Sequence, residues 1–184
     1  QIAALSGSQA AALTSGQIAA LSTSQVAAIE AADLPSLSTS AIKGLSTAQI
    51  VALTTAQAAA LTAAQVAALT PVQVAAMATA DLQQLGADRI AALTTAQSAA
   101  MTSTQVAALS TTQVAALENA DLAALTATAV KGLTTAQIDA LSVGQVGALT
   151  SVQVAAMGTA QIAAISTDIA SLDTDAIKGL TTAQ

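Results

Sequence analysis

The chain has 184 residues, with no Cys, His, Phe, Trp or Tyr and only 8% charged residues, which excludes disulfides, thiolate or imidazole metal sites, and nucleophilic triads. Its formal net charge of -6 comes from ten acids set against Lys43, Arg89, Lys131 and Lys178; these cations are too few and too scattered to neutralise phosphates, so nucleic acid is excluded as a partner. More than half of the residues are apolar but none is aromatic, so any core has to be a thin one of Leu, Ile, Val, Met and Ala.

Mean hydropathy is +0.68, yet Gln, Ser or Thr interrupts the apolar residues every few positions, and no stretch approaches the roughly 20 residues that span a bilayer. No membrane span is expected. No leader segment is visible, and Gln1 and Gln184 occupy the same position of a repeat. The expectation is therefore one continuous array over residues 1-184, a fragment of a longer one.

In rows of eight the chain begins QIAALSGS, QAAALTSG, QIAALSTS and QVAAIEAA, and the consensus over all rows is Q-V-A-A-L-T-T-A. The fifth column is always Leu, Ile or Met, with Met77, Met101 and Met157 as core fillers. The second column is Ile, Val or Leu except at Ala10, Ala58 and Ser98. A separation of three residues puts both columns on one face of a helix but on opposite faces of a strand, and Ala, Gln and Leu favour helix. One straight helix fails, because eight residues turn through about 800° and the apolar patch would rotate by roughly 80° per row.

A break in every row is written into the sequence. Ser or Thr in the sixth column followed three residues later by Gln is a capping box, as in Ser22 to Gln25, Thr54 to Gln57, Ser110 to Gln113 and Thr150 to Gln153. Pro71, directly after Thr70, sits where a first helical residue has no amide partner to lose. The predicted fold is an all-α solenoid of short capped helices, each of barely two turns, one per 8-residue repeat. Such helices are unstable alone, so stability has to come from neighbouring rows that approach closely over the Ala pair in columns three and four. The Gln column completes the capping boxes; a ladder of side-chain amides between turns is the alternative reading.

A second period begins at ADLPSLSTSAIKGL, where Asp33 precedes Lys43. It returns as Asp81 with Arg89, as Asp121 with Lys131 in ADLAALTATAVKGL, and as Asp168 with Lys178 in TDIASLDTDAIKGL, at intervals of 40 to 48 residues. Before three of these clusters the sixth-column cap is replaced by Glu30, Ala78 or Glu118, and the following Asp is expected to cap a shifted helix start, with Pro35 fitting that shift. The reading is a superhelical period of about 45 residues, with one corner per cluster. Stacked turns would then let Asp33, Lys43, Asp81, Arg89, Asp121, Lys131, Asp168 and Lys178 form inter-turn ion pairs, worth about 0–1 kcal/mol each and able to set register. A solvated charged edge is the alternative.

The glycines of the KGL motif, Gly44, Gly132 and Gly179, read as close-approach or helix-end positions. Asp173 with Asp175, and Glu30 with Asp33, are the carboxylate pairs that acid–base chemistry would need, but capping and solubility explain them. The chain is therefore expected not to be an enzyme and to have no cofactor, metal or small-molecule substrate. Past Gln161 the register slips by one residue in QIAAIST and resumes at Asp168.

The segment LTPVQVAAMAT, Leu69 to Thr79, resembles the first helix of transcription-activator-like effector repeats, although that family's second helix and base-reading pair are missing. Over its whole length the chain resembles the octapeptide, LTTAQVAAL-type arrays of large secreted bacterial surface or adhesin-like proteins. That resemblance implies an extracellular or cell-surface structural protein, a filament, stalk or surface layer built by self-association. The alternative function is an ice- or surface-binding module using the Thr/Ser edge, for example Thr54-Thr55 and Thr111-Thr112.

Overall fold

The structure, a computed structural model, describes residues 4–165 and 168–184. Gln1 lies outside the described residues, as do the last two of the row in which the register slip is expected. Among the described residues the regular elements are helices alone: α-helices of four to six residues, and 3-10 turns at Leu34–Ser36 and Ile169–Ser171.

The sequence accounts for both ends of each helix. Thr54 is extended at ψ 156° and its hydroxyl accepts from the Gln57 amide, which starts Thr55–Ala60; Leu61, at φ -57° and ψ 135°, takes the chain out of the helix again. The same cap and exit recur at Thr62 and Leu69, at Thr70 and Met77, and at Thr150 and Met157. Because the fifth and sixth columns are both extended, each helix keeps little more than one turn, less than the two expected.

The chain falls into two compact units, Gln1–Ala92 and Leu93–Gln184. In the first, helices three rows apart lie against each other: Ser15–Ala19 against Thr39–Lys43, Thr47–Val51 against Pro71–Ala76, Thr55–Ala60 against Thr79–Gln84. The second repeats the arrangement, with Thr95–Ala100 against Asn119–Ala124, Ser103–Ala108 against Ala127–Val130, and Thr135–Asp139 against Thr159–Ala164. Side-chain hydrogen bonds between turns span 28 and 31 residues. The expected superhelical period of about 45 residues is thus corrected: a turn closes within three to four rows. The chain leaves the helix at extended octad boundaries such as Leu61–Thr62 and Leu69–Thr70.

Columns two and five form the core, Val66, Val74, Val106, Val114 and Val154 being fully buried, with Leu61, Leu69, Leu109 and Leu149 close behind. The Gln column is a third inward column. Gln57 accepts from the Thr54 N–H at 2.9 Å through Oε1, while its Nε2 donates to the carbonyls of Val26 at 2.8 Å and Ile29 at 2.7 Å. Gln49, Gln65, Gln73, Gln137, Gln145 and Gln153 do the same. Capping and inter-turn bonding are therefore not alternatives, and the ladder runs from amide to backbone carbonyl.

So short a helix leaves most of its N–H groups and carbonyls without an internal partner. One glutamine supplies an acceptor to its own helix start and donors to the helix end of the preceding turn. Gln9, Gln17 and Gln25 make the capping bonds but are exposed. A comparison of Gln145→Ala with Gln17→Ala by urea denaturation separates the two roles. Both lose a cap bond, but the first also strands the carbonyl of buried Leu117 and removes one of the two bonds to that of Val114, and is expected to cost about 1–3 kcal/mol more.

Candidate functional site

The features that interrupt the repeat concentrate where column one is not glutamine. These positions come in adjacent rows: Asp33 and Ala41, Asp81 and Arg89, Asp121 and Ala129, Asp168 and Ala176. Each row with Ala in column one has Gly in column four, namely Gly44, Gly132 and Gly179. A Cβ on Gly44 would lie 2.5 Å from the Ser15 carbonyl oxygen, and one on Gly132 or Gly179 would collide with the carbonyl of Ser103 or Ser151. Where no amide intervenes, the turns close onto bare backbone, and only glycine fits. The row of Arg89 retains Ala92 in column four, and there the Arg89 Nε donates to the Leu61 carbonyl, 28 residues earlier, in the position of a glutamine amide.

The aspartates occupy a different setting. Asp81 and Asp121 are buried inside Thr79–Gln84 and Asn119–Ala124 as the third residue of each helix. They are not the caps expected of them: those helices start unshifted at Ala78 and Glu118, neither of which makes a side-chain cap bond. Asp33 does precede a shifted element, the 3-10 turn Leu34–Ser36 with Pro35 in its first turn, but without a side-chain cap bond, and Asp168 stands likewise before Ile169–Ser171.

The exceptions in column two now acquire a reason. Ala10, Ala58 and Ser98 lie 23 residues before Asp33, Asp81 and Asp121 respectively, on helices that pack against the elements following or containing those aspartates. Loss of bulk at column two lets the later helix approach, and the shorter Asp replaces Gln in the narrowed space. Burial pushes the Asp81 carboxyl above the ordinary aspartate value. It does the same to Asp121, with the charge of Glu118 adding to the rise. Asp121 Oδ2 and Ser98 Oγ are buried without a hydrogen-bond partner among the described residues.

The eight residues expected to pair between turns are not brought together in that way. The ion pairs among the described residues are local, Arg89 Nη1 to Asp88 Oδ1 at 3.7 Å and Lys178 Nζ to Asp175 Oδ1 at 2.6 Å. Asp81 and Asp121 point into the core while Lys43 and Lys131, in the third column, are exposed. A turn of 28 to 31 residues also cannot align clusters spaced by 40 to 48. Asp173 serves as a cap, its Oδ1 accepting from the Asp175 N–H at 2.9 Å and the Thr174 hydroxyl at 3.2 Å, and these bonds hold its carboxyl below the usual range.

Sequence reasoning identified the clusters but missed the inward role of column one. Its signal was present in the pairing of Ala with Gly within a row, and of a small second-column residue with an Asp 23 positions later. Gly132→Ala is expected to destabilise the chain by about 1–3 kcal/mol through overpacking. Gly16→Ala, where a Cβ would meet nothing within 4 Å, is expected to stabilise by about 0.4–1 kcal/mol. Thermal melts of the two variants check both signs.

No curated protein matches the chain significantly. The ALTTAQ repeat matches residues 26–63, 74–111 and 114–151, well over half of the chain, and each matched span starts seven residues before Asp33, Asp81 or Asp121. Asp33, Asp81 and Asp121 thus stand at the same place in three matched spans of about 38 residues each. With its octads, its short capped helices and this longer period, the chain belongs to the ALTTAQ repeat family.

Proposed function

We propose that the array is a structural element, a mechanically continuous helical coil serving as an extracellular filament, stalk or surface layer on a bacterial surface. In this reading it self-associates and carries out no catalysis. The observation that carries it is the glutamine clamp: the same pair of inter-turn bonds, spanning 28 and 31 residues, repeats from Gln49 to Gln73 and from Gln137 to Gln161. Stability made of identical nearest-turn terms grows with each added row and needs no new core. This property suits an element whose useful dimension is length.

A surface-binding role for the hydroxyl edge fits less well. Sixth-column hydroxyls such as Thr54 and Ser110 are already engaged by the Gln57 and Gln113 amides, and Thr55 and Thr111 of the seventh column remain as exposed hydroxyls. Electron microscopy of the purified chain is expected to show rods or fibres. Compact, monodisperse particles at every concentration tried would overturn the structural reading.

A further inference from the structure

The Asp81 and Asp121 rows lack the donor that other rows use to join turns. Gln49, Gln57, Gln65 and Gln73 donate to the carbonyls of Leu21, Ile29, Leu37 and Leu45, each 28 residues earlier, and Arg89 does so to Leu61. The equivalent carbonyls for Asp81 and Asp121 are those of Leu53 and Leu93, buried residues whose carbonyls accept no side-chain hydrogen bond among the described residues. An ionised carboxylate has no proton to give them, whereas a neutral carboxylic acid has one.

We propose that Asp81 and Asp121 are proton-operated clamps: when protonated, each supplies the inter-turn donor that glutamine supplies elsewhere, and when ionised, each loosens the joint it occupies. Three observations on geometry support this. Both side chains are almost fully buried, 4% and 2% exposed. Each helix lies against one whose second-column residue has lost its bulk, Ala58 or Ser98, so the shorter acid can reach inward. Asp121 Oδ2 and Ser98 Oγ, on two helices in contact, are both buried without a hydrogen-bond partner among the described residues, so no donor there stabilises an ionised Asp121.

Among the described residues, the helices packed on these two within their own units bring no cation to offset the buried charge. Thr55–Ala60, packed on the helix of Asp81, contains no charged residue, nor do Thr95–Ala100 and Val143–Gly147, packed on the helix of Asp121. Glu118 opposes the ionisation of Asp121 further. A carboxyl whose folded value is raised stabilises the fold fully below its unfolded value and loses that contribution as pH rises through the folded value. The array is therefore tightest in mild acid. Asp173 acts in the opposite sense, since its lowered value makes its contribution disappear only as pH falls below the ordinary aspartate range, outside the window of interest.

The test is a set of thermal melts of the 184-residue chain at constant ionic strength from about pH 4.5 to 8, spanning the window above the unfolded aspartate value. Wild type, Asp81→Asn/Asp121→Asn and the exposed control Asp139→Asn are compared. The wild-type Tm is expected to fall with rising pH by about 2–4 °C per site. The double variant, which keeps a donor at every pH, is expected to be flat and the most stable at pH 8, and the control is expected to follow wild type. Carboxyl-carbon NMR titration of wild type reads the two aspartates directly and decides the matter should the double variant fail to fold. A flat or rising wild-type profile, a double variant that retains the fall, or two carboxyls titrating at the ordinary aspartate value would each overturn the clamp. So would a rise in wild-type Tm on adding calcium chloride at pH 8 that the double variant lacks, which would assign the site to a cation.

Discussion

The structure depends on one problem and one residue type that solves it. A helix of four to six residues has more unsatisfied backbone groups at its ends than bonds in its interior, so it survives only when something outside it supplies acceptors and donors. The column-one glutamine does so in both directions, with Oε1 on the N–H of its own cap and Nε2 on carbonyls 28 and 31 residues back. Its burial joins the local and the tertiary structure: the capping box orients the amide, and the oriented amide holds the next turn.

From this constraint follows the spacing of the turns. Where glutamine or Arg89 stands in column one, the amide or guanidinium bridges the gap and alanine is present in column four. Where alanine stands there, nothing bridges it, and Gly44, Gly132 and Gly179 accommodate the carbonyls of Ser15, Ser103 and Ser151. A third solution shortens the side chain to Asp81 or Asp121 and removes bulk at Ala58 or Ser98 on the opposing helix. These substitutions travel in adjacent rows, which gives the octad array its longer ALTTAQ period. The clusters are therefore local adjustments of the inter-turn contact.

As a structural element the array has a useful property. Within each unit a row depends on the turns beside it, so cohesion is shared among like joints. The carboxyl rows interrupt that evenness at intervals. They place a titratable joint inside an otherwise uncharged core, in a chain where only 8% of residues are charged at all.

The helical class, the break in every octad and the two apolar columns are legible along the chain, because these rest on local physics. A three-residue spacing, a Ser/Thr cap with Gln at its third helical position, and Pro71 after Thr70 have the same meaning in any context. The turn of 28 to 31 residues, the inward face of column one and the burial of Asp81 and Asp121 emerge from the packing of distant rows. Those depend on the bend at each extended cap summed over several rows, and a small change in that bend alters which residues meet. Asp33, Asp81, Asp121 and Asp168 look alike along the chain. In three dimensions Asp81 and Asp121 are buried acids inside helices, whereas Asp33 and Asp168 stand at the starts of 3-10 turns.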